Sequence, residues 1–361
     1  MEKTLQKPFI EELRAKSINK KIRCFLLKNN DVEIEVMNWG CIILSIKTPD
    51  KWGNKKNIVS GFKTIPEYEN NKDYFGGVVG RYANRIANGT FSIDGKAYHL
   101  KLNNGVNSLH GGDEGFNKRI WNVKNIITNE RQVGIEFEYV SKDGEEGYPG
   151  NLNVSVEYLL NEKNEFIIQY KATTDKETPV SLTNHSYFNL SGFENDSIVN
   201  HYLQIYANEY TEKNENNQPT GKFINVDNTV FDFRSAKKIG KNIQDSVLKS
   251  DRGYDHNFIL KHDNSNELIH AAQLSDDETG RTLNVFTTSP GIQLYTANFF
   301  DGSIIGSQNK NYIQYSAVAL ETQSFPDSPN HPNFPNTILY PNKEYHSRTI
   351  YAFGVINHQK N

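Results

Sequence analysis

Val32-Glu33-Ile34-Glu35-Val36, then Asn38-Trp39-Gly40, then Ile42, Leu44 and Ile46, is the stretch from which the fold is read. Apolar and charged residues alternate with period two, pause at a turn, and alternate again. Side chains of a strand point alternately to opposite faces, so this is a β-hairpin with one buried face. The signal recurs along the chain. Phe91-Ser92-Ile93 and Ala97-Tyr98-His99-Leu100 flank Asp94-Gly95, a tight-turn pair. Ile135, Phe137 and Tyr139 repeat the pattern, as do Val154, Val156 and Tyr158, and Phe166, Ile168 and Tyr170. Leu283, Val285, Ile292, Leu294, Tyr351 and Phe353 extend it towards the C-terminus. Long amphipathic helical runs are almost absent, and only Pro8 to Lys16 and Lys237 to Leu248 suit short helices. The expected class is all-β, a large antiparallel β-sandwich with few short helices. No linker or fixed-period repeat divides the chain. Residues 21–361 are read as a single domain and residues 1–20 as an N-terminal extension.

The chain has 361 residues, with 40 Lys and Arg against 43 Asp and Glu, a net charge of −3. That balance gives no electrostatic reason to expect nucleic acid or an anionic membrane as partner. No apolar run reaches the length of a membrane span. Met1 to Lys21 is rich in Lys and Glu and lacks an apolar signal core, so a cytoplasmic enzyme is expected. Cys24 and Cys41 sit in apolar surroundings without metal-type spacing and read as buried free thiols. The polar run Asn214 to Gln218 reads as a surface loop. A monomer or a homodimer fits this composition equally.

Several stretches carry chemistry. Val318-Ala319-Leu320-Glu321-Thr322-Gln323 places one acid in an apolar strand, where desolvation is costly unless the acid has a use. A proline-rich loop, Ser324 to Pro335, follows it. Gly76-Gly77-Val78-Val79-Gly80-Arg81-Tyr82-Ala83-Asn84-Arg85 lacks the strand–helix setting and Gly-Lys-Ser/Thr of a phosphate loop. Its glycines suit a tight backbone crossing, while Asn84 and Arg85 suit vicinal hydroxyls. His110 lies in a turn before Gly111-Gly112, where a ligand can approach the backbone closely. Gly115-Phe116 and Trp121 follow, as core or as sugar-stacking surface. In Thr183-Asn184-His185-Ser186-Tyr187-Phe188-Asn189, period two puts His185, Tyr187 and Asn189 on one face, towards a cleft. The bland alternative is a histidine satisfied by neighbouring hydroxyls. Asp255 could accept hydrogen bonds from sugar hydroxyls or cap a turn. Gln293, between apolar neighbours, is an unusual place for an unpaired amide.

If Arg85, His110, His185, Asp255, Gln293 and Glu321 converge, the site holds hydroxyl-binding groups, a histidine acid and a carboxylate base. Neither cysteine lies in a nucleophile motif, and no cofactor motif is present, so no cofactor is expected. An acid–base pair of this kind suits opening a hemiacetal ring. Glu321 would take the anomeric hydroxyl proton and His185 would protonate the ring oxygen, each transfer contributing roughly 10²–10⁴-fold. Rotation about the bond beside the aldehyde and reclosure would invert the anomeric centre.

Together these stretches resemble the aldose 1-epimerase (galactose mutarotase) family. The matches run in order: Gly80 to Ile86, Ser108 to Gly112, Gly147-Tyr148-Pro149-Gly150, Thr183 to Leu190, Tyr254 to Phe258, Pro290 to Thr296, and Leu320 to Gln323 with its proline-rich loop. The resemblance covers nearly the whole chain and implies a β-supersandwich with an open cleft for a free aldohexose such as galactose or glucose. It implies Glu321 as general base and His185 as general acid, with Asn84, Arg85, His110, Tyr187, Asp255 and Gln293 holding the sugar. Neither a metal nor a cofactor is expected. Two departures stand out: Asn298 in Thr296-Ala297-Asn298-Phe299, where the family often has Gly before Asn, and an Asn-rich rather than apolar loop before Pro219-Thr220-Gly221.

Four other readings fit parts of the sequence. A glycoside hydrolase would use Asp255 and Glu321 as its carboxylate pair. A carbohydrate-binding protein would bind without catalysis. An epimerase of phosphorylated hexoses would need extra basic residues at the cleft. A metal site from His110, His185, His256 and His331 lacks any ligand spacing.

Overall fold

The computed structural model describes residues 7–17, 19–69, 72–262 and 267–356. The chain folds as three large antiparallel sheets. The first has five strands in chain order, from Phe9–Leu13 through Cys24–Lys28, Glu33–Met37 and Ile43–Pro49 to Lys55–Asn57. The second has nine strands. Its centre is the meander Gln132–Ser141, Leu152–Asn161 and Glu165–Thr174, joined to the C-terminal strand Glu344–Val355. The third has six strands in the order Tyr187–Phe188, Val318–Gln323, Gly291–Tyr295, Asp255–Ile259, Glu209–Lys213, Pro219–Asn225.

One apolar cluster joins all three sheets. It holds Phe25 and Ile34 of the first sheet, Ile135, Tyr158 and Phe166 of the second, and Ile292, Leu294, Val318 and Leu320 of the third. This is the layered packing expected of a sandwich. Among the described residues the only α-helix is Ile65–Glu69, and none is long and apolar enough to cross a membrane. Both cysteines are buried and unpaired.

The opening hairpin forms, but with one change. A bulge opposite Glu35/Val36 leaves Leu44 unpaired. The bulge shifts the phase, so Ile43 rather than Ile42 takes the inner face beside Ile46. Ile42 and Leu44 pack into a second cluster with Phe75 and Tyr187. An inserted residue in one strand flips the side chains beyond it, and hydropathy does not reveal it. Phe91 and Tyr98 pair across the Asp94-Gly95 turn as expected.

Both expected helices are corrected. Phe9–Leu13, within Pro8 to Lys16, is a strand paired along its length with Cys24–Lys28. The unsatisfied edge of Cys24–Lys28 offered a ladder that overrides weak helical propensity. Lys237 to Leu248 holds a two-residue strand and two 3-10 turns, Ile239–Lys241 and Ser246–Leu248. The N–H groups of Ile239 and Gly240 there donate to His201 O and Val199 O instead of to a helical ladder. Phe116 and Trp121 belong to the core and not to a sugar-stacking surface.

Candidate active site

The six-stranded sheet positions most of the site by alternation. Ile292, Leu294, Val318 and Leu320 point into the core. The intervening residues point the other way. Register places Gln293 opposite Glu321 and Asn257 opposite Gln293. Asp255 lies opposite Tyr295, and Ala319 lies opposite both Tyr295 and Tyr187. One pleated face therefore presents Tyr187, Glu321, Gln293 and Asp255 together. Tyr187, Glu321 and Asp255 line an open cleft of about 200 Å³ with Asn84, Arg85, His110 and His185. Gln293 is the exception in the lining itself. It stands behind Asp255, donating from Nε2 to Oδ1 at 2.6 Å, and its Oε1 is buried with no partner among the described residues.

Glu321 is 2 % exposed and every residue of its strand is buried. Burial, reinforced by the Asp255 carboxylate, pushes its carboxyl up to about 8. Oε1 stands 3.5 Å from His185 Nε2, and Oε2 has no partner among the described residues. His185 lies in the break between Thr183–Asn184 and Tyr187–Phe188. Its backbone is fixed on both sides, its N–H donating to Gly77 O and its carbonyl accepting from Gly76 N, each at 2.9 Å. Burial pushes its imidazole down to about 4. The neighbouring hydroxyl does not satisfy it, because Ser186 donates to Asn184 Oδ1. His185 Nδ1 has no partner among the described residues. Tyr187 stacks on His185 with ring centres 4.7 Å apart, as the alternation implied. Asn189 does not join them. The strand break lets its amide donate to Asn195 O and Ser316 O instead.

His110 is held as a neutral donor. Its Nδ1 accepts the Asn84 N–H at 3.1 Å, so the remaining ring proton belongs to Nε2. Its own N–H donates to Asn84 O at 3.0 Å. Burial, with His185 and Arg85 adding repulsion, holds its pKa well below the usual histidine range. His110, His185 and Glu321 bring one potential ligand atom each within 4.8 Å of one another. The tautomer of His110 leaves no free lone pair on Nε2 for a metal. The four-histidine constellation does not assemble. His256 faces the core beside Phe231, and His331 pairs with Asp327 at 3.2 Å.

Arg85 donates from Nε to Asn104 Oδ1 at 3.1 Å and places Nη1 3.6 Å from Asp255 Oδ2. Burial works against ionisation of Asp255, yet Lys213 and Arg85 hold its carboxyl below the usual range. The proline-rich loop fixes Arg85 from behind: Asp327 donates its N–H to Arg85 O at 2.8 Å and accepts Ala87 N–H at 2.9 Å. Arg81 has a different task. Fully buried, it donates to Ser141, Pro149, Gly150 and Thr178, which ties down the end of the Gly147 to Gly150 segment. Gly111 must be glycine, since φ is +87° and an added Cβ would lie 1.9 Å from Gly80 O. Arg81→Met strips donors from several buried acceptors. It is expected to cost ~3 kcal/mol or more, read as a lowered urea midpoint.

A sequence model described as aldose 1-epimerase matches residues 23–352. The chain belongs to the aldose 1-epimerase family. Galactose mutarotase of Bos taurus is 43 % identical over 331 residues, covering 92 % of this chain and 94 % of that protein. Aldose 1-epimerase of Escherichia coli is 40 % identical over 335 residues, with 92 % and 95 % covered. Among solved structures, the GalM/aldose epimerase homologue from C. elegans superposes with a TM-score of 0.82 at 30 % identity, covering 97 % of this chain and all of that one. Galactose 1-epimerase from Lactobacillus acidophilus gives 0.84 at 28 %, with 96 % and 99 % covered. The all-β sandwich read from the strand periodicity is thus that of an aldose 1-epimerase.

This aldose 1-epimerase cleft also contains residues that sequence reasoning passed over. Tyr74, at φ 59°, sets its ring 4.6 Å from His110 and stacks over His185 at 5.9 Å. Asn104, Tyr295 and Phe299 line the cleft as well. Tyr74 lies outside any strand, so no period marks its direction. The one available signal was an aromatic pair, Tyr74-Phe75, directly before Gly76-Gly77.

Proposed function

We propose that the protein interconverts the α and β anomers of free aldohexoses by acid–base opening and reclosure of the ring, with Glu321 and His185 as proton carriers. The observation that supports this reading best is their pairing at 3.5 Å, buried at the floor of an open cleft. Ring opening needs one group to accept the anomeric proton and one to donate to the ring oxygen. A pair holding one proton between them supplies both. In the empty cleft burial favours the neutral arrangement, with the proton on Glu321. The charge-separated arrangement holds the same number of protons. An anomeric hydroxyl donating to Glu321, and a ring oxygen facing His185, favour it when sugar is bound. His110 Nε2–H, Arg85 and Asp255 then serve the other hydroxyls. Reclosure runs the same transfers backwards after the aldehyde has turned.

Asp255 has partners on both oxygens, Gln293 on Oδ1 and Arg85 on Oδ2. That suits an anchoring acceptor better than the nucleophile of a hydrolase. Polarimetry of freshly dissolved α-galactose and α-glucose tests the proposal. Accelerated relaxation is expected, with no release from aryl glycosides. An unchanged relaxation rate would leave a sugar-binding protein without catalysis. We propose cytoplasmic hexose metabolism as the setting, and a monomer or homodimer as the working form.

The pH dependence follows from the pair. The singly protonated state lies between the loss of its last proton, near pH 8, and the gain of a second, near pH 4. The kcat/KM profile is expected to be a broad bell with limbs near those values, belonging to the pair and not to either residue. A profile flat from pH 3 to pH 10 would rule the pair out.

A further inference from the structure

Beside Asp255 stands a lysine that no sequence motif marked. Lys213 ends the strand Glu209–Lys213, which pairs with Asp255–Ile259. The strand's register shifts between Thr211 and Lys213, so the direction of Lys213 is set by its contacts and not by alternation. Its Nζ lies 3.0 Å from Asp251 Oδ1 and 4.0 Å from Asp255 Oδ2, with 14 % of the side chain exposed. It also donates to Asn217 Oδ1 at 2.7 Å.

Asn217 belongs to the Asn-rich loop. Asn214 Oδ1 accepts from the N–H of Asn216 at 2.9 Å and of Gln218 at 3.1 Å, and Asn217 takes a left-handed φ of 59°. Asparagine tolerates that conformation and fastens such turns through its side chain. The loop then reaches across the cleft rim. Gln218 Nε2 donates to Asn107 Oδ1, and Asn107 Nδ2 donates to Asn216 O, both at 2.8 Å. Asn107 ends the turn that carries Asn104, the partner of Arg85. The contacts close a ring: Arg85, Asp255, Lys213, the 214–218 loop, the 103–107 turn, and Arg85 again.

We infer that Lys213 and the Asn-rich loop are a positioning device for the sugar-binding end of the cleft, in which Lys213 fixes Asp255 opposite Arg85 and the loop fixes Lys213. This rests on Asp255 being a sugar contact. Arg85 and Lys213 both approach Oδ2 of Asp255 while Gln293 holds Oδ1, which leaves the carboxylate one resting orientation, so its free lone pairs meet the sugar hydroxyls without rearrangement. Lys213 touches neither Glu321 nor His185, so its loss weakens substrate and transition state alike.

Steady-state polarimetry with galactose and glucose, and sugar binding by calorimetry, test the assignment. Lys213→Met is expected to raise KM and Kd about tenfold with kcat within about twofold, and Lys213→Arg to recover most of that loss. Asn217→Ala, in a surface loop and harmless to the core, is expected to raise KM about threefold at unchanged kcat, whether or not Lys213→Met folds. Asp255→Asn separates the two readings. If Asp255→Asn raises KM and Kd while Lys213→Met and Asn217→Ala leave them unchanged, the positioning device is overturned. If Asp255→Asn itself leaves both unchanged, Asp255 is no sugar contact and the inference falls with that reading. A loss of kcat rather than of KM in Lys213→Met also overturns it.

Discussion

Glu321→Gln is expected to lower kcat by roughly 10²–10⁴-fold, while the variant folds and still binds sugar. Glutamine keeps the shape of the side chain but accepts no proton at neutral pH. The anomeric hydroxyl then has no base within reach, since Asp255 is committed to Gln293 and Arg85. Near-normal polarimetric activity in this variant would sink the mechanism. Stability gives an independent check. The folded-state pKa of Glu321, about 8, lies above its ordinary value of 4.5. Between those values the folded protein holds a proton that the unfolded chain has released. The associated stability is fully present below the unfolded value and is lost as pH rises through the folded one. Glutamine does not titrate, so Glu321→Gln removes that loss. Its Tm is expected to exceed that of the parent protein above pH 8 and to converge with it near pH 5.

Glu321 was legible in the sequence because a lone acid in an apolar strand needs a reason. Asp255, Gln293 and Tyr187 were legible through family motifs and fall on the same sheet face by period two. What the sequence could not show was that the strands around Gln293 are neighbours. Val318–Gln323 pairs with Gly291–Tyr295, nearby in sequence, but also with Tyr187–Phe188, 130 residues earlier. Such pairing is fixed by shared core burial, which has no local signature. The same limit explains the misread segment at Phe9–Leu13, whose partner edge decided its structure. Lys213 and Tyr74 were missed for two different reasons. No motif marks Lys213, and only its contacts with Asp251 and Asp255 place it beside the site. Tyr74 sits in an aperiodic crossing, where direction depends on backbone angles and not on spacing. The Asn-rich loop was seen as a departure from the family; its asparagines fasten the turn and the rim.

His185→Asn is the second large effect expected, again roughly 10²–10⁴-fold in kcat with the fold retained. Asparagine can hold a hydrogen bond at this position but cannot carry a proton. Because Glu321 and His185 move protons as one unit, their losses are not additive. The double variant is expected to be little slower than the slower single variant. Additive losses in kcat would mean that the two residues act independently. The residual activities should also differ in their pH dependence. With both residues present, the active state is bounded on each side by a change of proton count. With His185 gone, only Glu321 titrates, and water must protonate the ring oxygen. Residual kcat/KM is then expected to rise as Glu321 ionises and to level off, with no alkaline limb. With Glu321 gone, only His185 titrates, and residual activity tracks a single group on the acid side. The bell therefore splits into two single-limbed curves, one for each variant. A bell that survived in either variant would place the second proton carrier elsewhere in the cleft, with His110 the nearest candidate.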